Sequence, residues 1–213
     1  MSDRNINVTS DYGWSVPGAP NSCGYIAPKI LKIIFELAGP LRICDIGSGN
    51  GVLAARIKSS GNYVCGVEYD RSGCEISRRS LPDINFYNLG VHDDPSVILE
   101  HEAPFDVCVS TEVIEHLYSP HQLPRFAKKI LNKDGVLIIS TPYHGFLKNL
   151  LLSLANKWDD HFTALWHGGH IKFWSRKTLT KLLSSEGFEV IGFHGVARFP
   201  LIWKSMIIVA KVK

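Results

Sequence analysis

The stretch Leu41-Arg42-Ile43-Cys44-Asp45-Ile46-Gly47-Ser48-Gly49-Asn50-Gly51 decides the fold of this chain. A short apolar run reaches an acidic residue, three glycines then alternate along a loop, and a helical pattern begins at Val52. Glycine permits a sharp turn and a close approach to a ligand because it has no Cβ. The following helix presents free N–H groups above the loop. The stretch therefore predicts a nucleotide-type cofactor site at the carboxyl end of a first parallel strand.

The spacing of the glycines indicates which cofactor binds. A dinucleotide fingerprint, G-x-G-x-x-G, would need a glycine at position 52, where the chain has Val52. Asp45, just before the first glycine, disfavours a pyrophosphate and suits a ligand with a positive centre, such as S-adenosylmethionine with its sulfonium and ammonium groups. A second predicted strand ends at Glu68, whose carboxylate can accept both ribose hydroxyls. Val52 and Asp45 thus disfavour a nicotinamide oxidoreductase.

These features resemble the class I S-adenosylmethionine-dependent methyltransferases, from about Ile26 to the end of the chain. The resemblance implies an α/β fold: a Rossmann-like seven-stranded sheet with helices on both faces and a closing antiparallel hairpin. Gly90 stands where the family often has an acid beside the adenine. The cofactor-binding residues that the resemblance implies are Asp45, Gly47, Ser48, Gly49, Glu68, Tyr69, Ser110 and Thr111.

Length and composition fit one soluble enzyme domain. The 213 residues can bury a full core, and the hydrophobic content of 45% and charged content of 20% are ordinary. The five cysteines form no C-x-x-C pair and indicate buried thiols in a reducing compartment. The amino terminus lacks the pattern of a signal peptide and no apolar run could span a bilayer, so we predict a cytoplasmic protein. A net charge of +3, with dispersed basic residues, argues against a nucleic-acid groove.

Alternating strand and helix patterns predict a parallel sheet with crossover helices. Residues 1–22 are interpreted as a flexible N-terminal arm, in which Tyr12 and Trp14 could fold over a ligand, and residues 23–213 as a single methyltransferase domain. The predicted strands are 41–46, 63–68, 84–87, 105–110, 136–140, 188–193 and about 202–209. The predicted helices are 24–37, 52–59, 72–80, 123–131 and 175–186.

A second constellation follows the fourth predicted strand. If the chain turns helical after Ser110, then Glu112, Glu115 and His116 share one face at positions i, i+3 and i+4. That face would lie beside the cofactor loop, at the carboxyl end of the sheet. Two carboxylates and an imidazole suit a divalent metal. The alternative is a solvated first helical turn, in which acids only favour the helix dipole.

His170, in Gly168-Gly169-His170-Ile171-Lys172-Phe173, is a further candidate ligand. The pattern E-x-x-E-H, followed by a histidine in H-x-K-F, resembles two methyltransferase families. One methylates phenolic hydroxyls of quinone precursors, and the other methylates the terminal ribose 2′-hydroxyl of small RNAs. The resemblance implies a divalent metal (Mg, Mn, Fe or Zn) bound by Glu112, Glu115, His116 and His170. Alternatively, His170 caps the helix that begins near Ser175.

The combined pattern predicts metal-assisted O-methylation of a hydroxyl on a small molecule, either a catechol-like or quinol-like ring or a sugar. A metal lowers the pKa of a bound hydroxyl and orients it. Without a metal, His116 or His144 is the candidate catalytic base. The alternatives are an RNA 3′-end 2′-O-methyltransferase and a non-catalytic S-adenosylmethionine-binding subunit.

Residues 143–172 interrupt the alternation and are predicted to form an insertion that covers the acceptor site. Four of the nine histidines lie there: His144, His161, His167 and His170. Apolar residues at 147, 150, 151, 154, 155 and 158 form one helical stripe. We predict that this stripe packs on the domain. The alternatives are a lid and a peripheral membrane contact through residues 147–158 that collects a lipid-like substrate.

Overall fold

The computed structural model describes Trp14 and residues 22–162, 165–166 and 168–213. The strands are β1 (Arg42–Ile46), β2 (Tyr63–Val67), β3 (Asn85–Tyr87), β4 (Phe105–Thr111), β5 (Leu131–Pro142), β6 (Phe188–Val196) and β7 (Ser205–Val212). The helices are α1 (Cys23–Glu36), α2 (Val52–Ser59), α3 (Arg71–Ser80), α4 (Ser96–Leu99), α5 (Gln122–Ile130), α6 (Phe146–Leu154), α7 (Asp159–Phe162) and α8 (Arg176–Ser185). A short 3₁₀ helix spans Ile114–His116.

These strands form one sheet in the order β3-β2-β1-β4-β5-β7-β6. Strands β1 to β5 run parallel, and β7 lies antiparallel to both β5 and β6. Helices cover both faces of the sheet over two apolar cores. This arrangement confirms the predicted Rossmann-like sheet with its closing antiparallel hairpin. Because β1, β2, β3, β4 and β5 are parallel, the loops that follow them meet at one edge of the sheet.

Local sequence explains where the helices begin and end. Helix α1 buries Ile26, Ile30 and Ile33 at helical spacing and ends before Gly39, whose φ is +82°. Helix α3 begins after Asp70, whose carboxylate accepts the Gly73 amide at 3.0 Å as an N-cap. Such caps orient the turns at the carboxyl edge of the sheet.

Three strands differ in extent from the prediction, and one of them, β6, continues beyond position 193 to Val196. Strand β5 is twelve residues long, beginning at Leu131 rather than near Val136, and it pairs with β4 and β7 over most of its length. The last strand begins at Ser205, because the chain makes a turn between Ala197 and Lys204 before it enters β7. The order of the elements is unaffected.

The prediction that the apolar stripe of residues 147–158 packs on the domain is wrong. In α6 the buried residues are Lys148 and Leu152, whereas Leu147, Leu150 and Leu151 are exposed. Leu154 is 76% exposed. The helix therefore turns Lys148 and Leu152 inward and its other leucines outward. Within the described residues, no helix has both the length and the apolar character needed to cross a membrane.

Candidate active site

A cleft of about 1090 Å³ opens at the carboxyl ends of the parallel strands. It is bordered by the glycine-rich loop after β1, by the turns after β2 and β3, and by the segment after β4. The cleft-lining residues include Asp45, Gly47, Ser48, Gly49, Glu68, Tyr69, Thr111, Glu112, His116 and His170. Most of the sequence-predicted cofactor and acceptor residues therefore share one cavity, in the place where open α/β sheets bind ligands, whereas Ser110, Glu115 and His144 do not line it.

The glycine-rich loop is folded tightly at the floor of the cleft. Gly47, Gly49 and Gly51 all have positive φ, and the amides of Gly47 and Ser48 both donate to the Val67 carbonyl. Only glycine adopts this backbone repeatedly without strain. Asp45 is 1% exposed, and its Oδ1 atom has no hydrogen-bond partner among the described residues. An unpartnered buried carboxylate oxygen in a cleft fits a positively charged ligand.

Glu68 holds the loop from the neighbouring strand. Its carboxylate accepts the Gly49 amide at 2.6 Å and the Asp70 amide at 2.7 Å. Burial raises the pKa of Glu68 to about 7, against the lowering effect of these two backbone N–H groups. Burial, together with the charge of Glu68, likewise raises the pKa of Asp45 to about 7. Carboxylate oxygens retain further lone pairs, so Glu68 can still accept ligand hydroxyls.

Tyr69 and the turn after β3 form another wall of the cleft. The rings of Tyr69 and His92 meet edge to face with centroids 5.1 Å apart. Gly90 lies between them, and a Cβ at this position would come 2.9 Å from the Tyr69 ring. A glycine therefore occupies the position where the family often has an acid, and this wall offers an aromatic face.

Trp14 belongs to the cofactor side of the cleft, as the arm prediction proposed, whereas Tyr12 lies outside the described residues. The Trp14 ring packs against Gly49 and Gly73. A Cβ on Gly49 would lie 2.6 Å from Cζ2 of this ring, and one on Gly73 would lie 2.9 Å from Cδ1. Both glycines thus leave room for the indole.

Of the two residues predicted at the end of β4, Thr111 lines the cleft and Ser110 does not. Ser110 is fully buried, and its hydroxyl has no partner in the described part of the chain. Thr111 is the last residue of β4 and therefore reaches the edge of the sheet. Ser110 could contact the cofactor, as predicted, only if the cofactor reached deeper than the residues that line the cleft.

The prediction that Glu112, Glu115 and His116 share one face of an α-helix is wrong. Glu112 has a φ of +54°, and only a single 3₁₀ turn, Ile114–His116, follows it. The Glu112 carboxylate accepts hydrogen bonds from Ser140 at 2.9 Å and Ser205 at 3.2 Å. These strand hydroxyls draw the acid toward β5 and β7, so the backbone turns away from helical geometry.

The structure nevertheless brings three of the four predicted metal ligands together. Ligand atoms of Glu115, His116 and His170 all lie within 4.8 Å of one another. Glu115 is 1% exposed, and its Oε1 atom has no hydrogen-bond partner among the described residues, while Oε2 accepts from Thr141 at 3.0 Å. Burial and the charge of Glu112 raise the pKa of Glu115 well above its usual range. The charge of Glu112 is close enough to influence Glu115, but Glu112 is not a member of this cluster.

Backbone contacts hold the cluster in place. The Glu115 carbonyl accepts the amides of Ile171 and Lys172, each at 3.0 Å, which fastens the loop that carries His170. Nδ1 of His116 donates to the Gly169 carbonyl at 3.2 Å. Outer hydrogen bonds of this kind orient metal-binding histidines. Burial lowers the pKa of His116, and it lowers the pKa of His170 to about 4, so both rings are neutral at pH 7.

His144 lies outside the cleft lining. It is buried, its Nδ1 atom is 3.1 Å from Oδ1 of Asn149, and its ring packs against Phe173 and Trp158. The His161 ring packs edge to face on the imidazole of His144. His167 lies outside the described residues. The base role predicted for His144 therefore finds no support in the lining of the cleft.

Sequence reasoning missed Lys148. Its ammonium is buried under α6 and donates to the Lys204 carbonyl at 3.1 Å, and burial lowers its pKa to about 8. Glu112 attracts this ammonium. The sequence did contain a signal for this. Lys148 lies among the apolar residues of the stripe, on a helix that was expected to pack against the domain.

The fold and the cleft define a class I S-adenosylmethionine-dependent methyltransferase. Residues 22–192, which make up most of the chain, match the family described as "Methyltransferase domain". The protein belongs to this family. S-adenosylmethionine is the cofactor of the family. The orphaned Asp45 oxygen and the tight glycine loop fit that ligand.

Curated relatives are similar at low identity. A ubiquinone biosynthesis O-methyltransferase of Glaesserella parasuis is 25% identical over 72% of this chain and 68% of the relative. Proteins of the same name from Dinoroseobacter shibae and from a Ruegeria species are 27% and 26% identical, over 76% and 82% of this chain and 65% and 70% of the relatives. The chain thus spans about two thirds of their length, and only 58% of the relative from Actinobacillus pleuropneumoniae serotype 5b.

Solved structures share the fold. Magnesium protoporphyrin IX methyltransferase from Synechocystis, with bound S-adenosylhomocysteine, aligns with a TM-score of 0.66 at 14% identity, covering 88% of this chain and 82% of the other. The [4+2]-cyclase SpnF aligns equally well, with a TM-score of 0.66 at 14% identity over 86% of this chain and 80% of its own. Since proteins of different names share this fold, the acceptor must be argued from the site.

Proposed function

We propose that this methyltransferase methylates a hydroxyl group of a small molecule, with a divalent cation held by Glu115, His116 and His170. The observation that carries the proposal is the buried Oε1 atom of Glu115, without a partner in the described structure, beside two neutral imidazoles. Burying such an oxygen unpaired costs free energy, which a cation would offset. The names of the curated relatives support oxygen as the accepting atom.

The donor set fits the proposed cation. One carboxylate and two imidazoles suit Zn, Fe or Mn, whereas Mg prefers oxygen ligands. Glu112 remains the predicted fourth ligand, although it would have to exchange its hydrogen bonds to Ser140 and Ser205 for the cation. Its charge already disfavours ionisation of Glu115, and a cation near both acids would relieve that repulsion.

The walls around the cluster favour an aromatic acceptor. This part of the cleft is lined by Val113, Leu117, Tyr118 and Trp166, and the Trp166 ring meets His116 edge to face at 5.6 Å. Apolar and aromatic walls with a few convergent polar groups are typical of small-molecule sites. A catechol-like or quinol-like ring therefore fits better than a sugar.

The chain's own residues position the reactants. A bound cation would supply a lowered pKa and a fixed orientation to the acceptor hydroxyl. Thr141 and Gly169 hold Glu115 and His116 in position, so the acceptor can be aligned behind the methyl carbon of the donor, and this alignment supplies much of the rate. If no cation is bound, the imidazole of His116, whose pKa burial lowers, is the candidate base for the hydroxyl proton, because donation from Nδ1 leaves Nε2 as the acceptor nitrogen of the neutral ring.

Turnover of labelled S-adenosylmethionine tests the proposal. Protein stripped with a strong chelator is assayed against catechols, quinols, sugars and short RNA, with and without added Mn, Fe, Zn or Mg. We expect methylation of catechols or quinols that is lost on stripping and restored by one of the first three metals. Full activity of metal-free protein would exclude the metal role, and methylation of RNA alone would exclude a small-molecule acceptor.

Matched variants separate metal binding from folding. Glu115→Gln and His170→Gln should each weaken binding of Mn²⁺ or Zn²⁺ by roughly tenfold or more, measured by calorimetry without any substrate. His101→Gln changes an exposed histidine before β4, outside the cleft lining, and should bind metal as the wild type does. Equal metal affinity in all three variants would contradict the proposed site.

A further inference from the structure

The buried lysine of α6 and the acid that stays outside the metal cluster are linked through the start of β7. Lys148 is 3% exposed, and its ammonium donates to the Lys204 carbonyl at 3.1 Å. The next residue, Ser205, begins β7 and donates from its hydroxyl to Oε2 of Glu112 at 3.2 Å. Two successive residues therefore connect the ammonium with the carboxylate.

The two side chains also attract each other by charge. Burial raises the pKa of Glu112 to about 7, and two serine hydroxyls and the Lys148 ammonium oppose that rise. Burial lowers the pKa of Lys148 to about 8, and the charge of Glu112 opposes that fall. A buried ammonium without a compensating acid costs free energy, so the acid accounts for a lysine on the inner side of α6.

The charges of both residues act on the metal cluster. Burial lowers the pKa of His170, and the Lys148 ammonium adds to that lowering. Burial raises the pKa of Glu115, and the charge of Glu112 raises it further. A cation bound in the cluster and the ammonium would therefore compete for one carboxylate, because each attracts Glu112 and the two repel each other.

We propose that Lys148 is a positioning residue, whose ammonium is the resident counter-ion of Glu112 and keeps this acid out of the metal cluster. The inference rests on the metal site proposed above. With Glu112 held by the hydroxyls of Ser140 and Ser205, three protein ligands remain, and a bound cation would keep a coordination position for the acceptor hydroxyl. If Glu112 joined as a fourth ligand, it would occupy a position that the acceptor needs.

Metal affinity separates this counter-ion role from simple anchoring of α6. Lys148→Met keeps the length of the side chain and removes its charge, so we expect Mn²⁺ to bind roughly tenfold more tightly in calorimetry. Lys148→Arg keeps the charge and should restore the wild-type affinity. Loss of a residue that only anchors α6 would weaken Mn²⁺ binding or leave it unchanged, and either result would overturn the proposal.

The number of open coordination positions gives a second measurement. Water proton relaxation by bound Mn²⁺ counts the exchangeable waters on the metal, and Lys148→Met should lose about one water as Glu112 becomes a ligand. Adding Glu112→Gln to Lys148→Met removes the charged competitor and should return the lost water. A Lys148→Met protein that keeps the wild-type number of waters would overturn the proposal.

A double-mutant cycle without metal tests the charge pair by itself. Urea unfolding midpoints are compared for wild type, Lys148→Met, Glu112→Gln and the double variant at about pH 7.5, where both groups are mostly charged. We expect the double variant to lose less than the sum of the two single losses, because Glu112→Gln removes the charge that the ammonium balances. Additive losses would overturn the pair.

Lys181→Met is the matched control for both experiments. It changes an exposed lysine of α8, outside the cleft lining, and should leave the Mn²⁺ affinity unchanged and combine additively with Glu112→Gln. A wild-type protein that binds no Mn²⁺, Fe²⁺ or Zn²⁺ would refute the metal site proposed above. The urea series would then still decide the charge pair, with non-additive losses supporting it and additive losses refuting it.

Discussion

The amide nitrogen of Gly49 lies 2.6 Å from Oε2 of Glu68, so the acid that follows the second strand holds the loop that follows the first. The other oxygen of Glu68 accepts the Asp70 amide at the start of α3. One buried carboxylate therefore fixes two sides of the cofactor cleft. A substitution of Glu68 should therefore weaken cofactor binding more than it disturbs the acceptor site.

Glu68→Gln should weaken binding of S-adenosylhomocysteine by about 10- to 100-fold. The amide keeps the size of the side chain, but its NH₂ group must face one of the two backbone N–H donors, which leaves a buried donor unpaired. Titration calorimetry measures the effect. Glu75→Gln is the matched control, because Glu75 is exposed on α3 and pairs with Arg71. Identical affinities for the two variants would rule out a binding role for Glu68.

Cofactor affinity should depend on pH through Asp45 and Glu68. Burial raises the pKa of each to about 7, and a cationic ligand with hydroxyl donors prefers both acids ionised. We expect the affinity for S-adenosylmethionine to fall about tenfold per carboxylate between about pH 8 and about pH 6. Calorimetry across this range checks it. Asp45→Asn and Glu68→Gln should each flatten the profile, and a wild-type affinity independent of pH would contradict the assignment.

The ligand-free protein should show the opposite trend in stability. Because the folded pKa values of Asp45 and Glu68 exceed the ordinary 3.8 and 4.5, the folded state holds protons that the unfolded chain releases. The free energy of unfolding contributed by these groups therefore falls as the pH rises from about 4 to about 7. Urea unfolding of wild type and Asp45→Asn at several pH values tests the sign, and the variant should lose part of the slope.

The fold was predictable because its signals are local and periodic. The alternation of apolar runs and helical patterns, together with the positive-φ glycines of the loop after β1, specifies a parallel sheet with a cofactor turn. The class I methyltransferase fold with its closing hairpin is confirmed. The boundary errors near Leu131 and Ser205 arose where long-range pairing of β5 with β4 and β7 determines the strand ends.

The acceptor site was less predictable because it depends on tertiary contacts. Helical spacing placed Glu112 with Glu115 and His116, but hydroxyls of Ser140 and Ser205 on other strands draw Glu112 aside. Periodicity likewise found the stripe of α6 and could not say which side faces inward, since that choice rests on the contact between Lys148 and the Lys204 carbonyl.

Glu102 should contribute strongly to stability from the opposite edge of the sheet. Its buried carboxylate accepts hydrogen bonds from Arg42, Tyr63 and Asn85, the first residues of β1, β2 and β3, and from Tyr87, the last residue of β3. Glu102→Ala leaves these donors without their acceptor and should lower the free energy of unfolding by about 2–4 kcal/mol. Urea unfolding measures the loss. Glu100→Ala, at a neighbouring exposed position, should change the free energy of unfolding by less than about 0.5 kcal/mol. Equal losses in the two variants would show that the hydrogen bonds to Glu102 do not stabilise the fold.

Trp14 should support cofactor binding through its wedge between Gly49 and Gly73. Trp14→Ala removes the ring from the cleft and should raise KM for S-adenosylmethionine about tenfold, with a much smaller change in kcat, because the aromatic contact is made with the bound cofactor both before and during methyl transfer. Trp14→Phe should restore most of the affinity. A fall in kcat at constant KM would show that the ring acts elsewhere.

Gly73→Ala tests the same wedge from the helix side. Alanine is compatible with the helical backbone at this position, so α3 itself should be unharmed, but the new Cβ would lie 2.9 Å from Cδ1 of Trp14 and would displace the ring. We therefore expect Gly73→Ala to weaken S-adenosylhomocysteine binding as Trp14→Ala does, and the double variant to be no weaker than either single variant. Additive losses in the double variant would mean that the two positions act independently and that the indole is not held by Gly73.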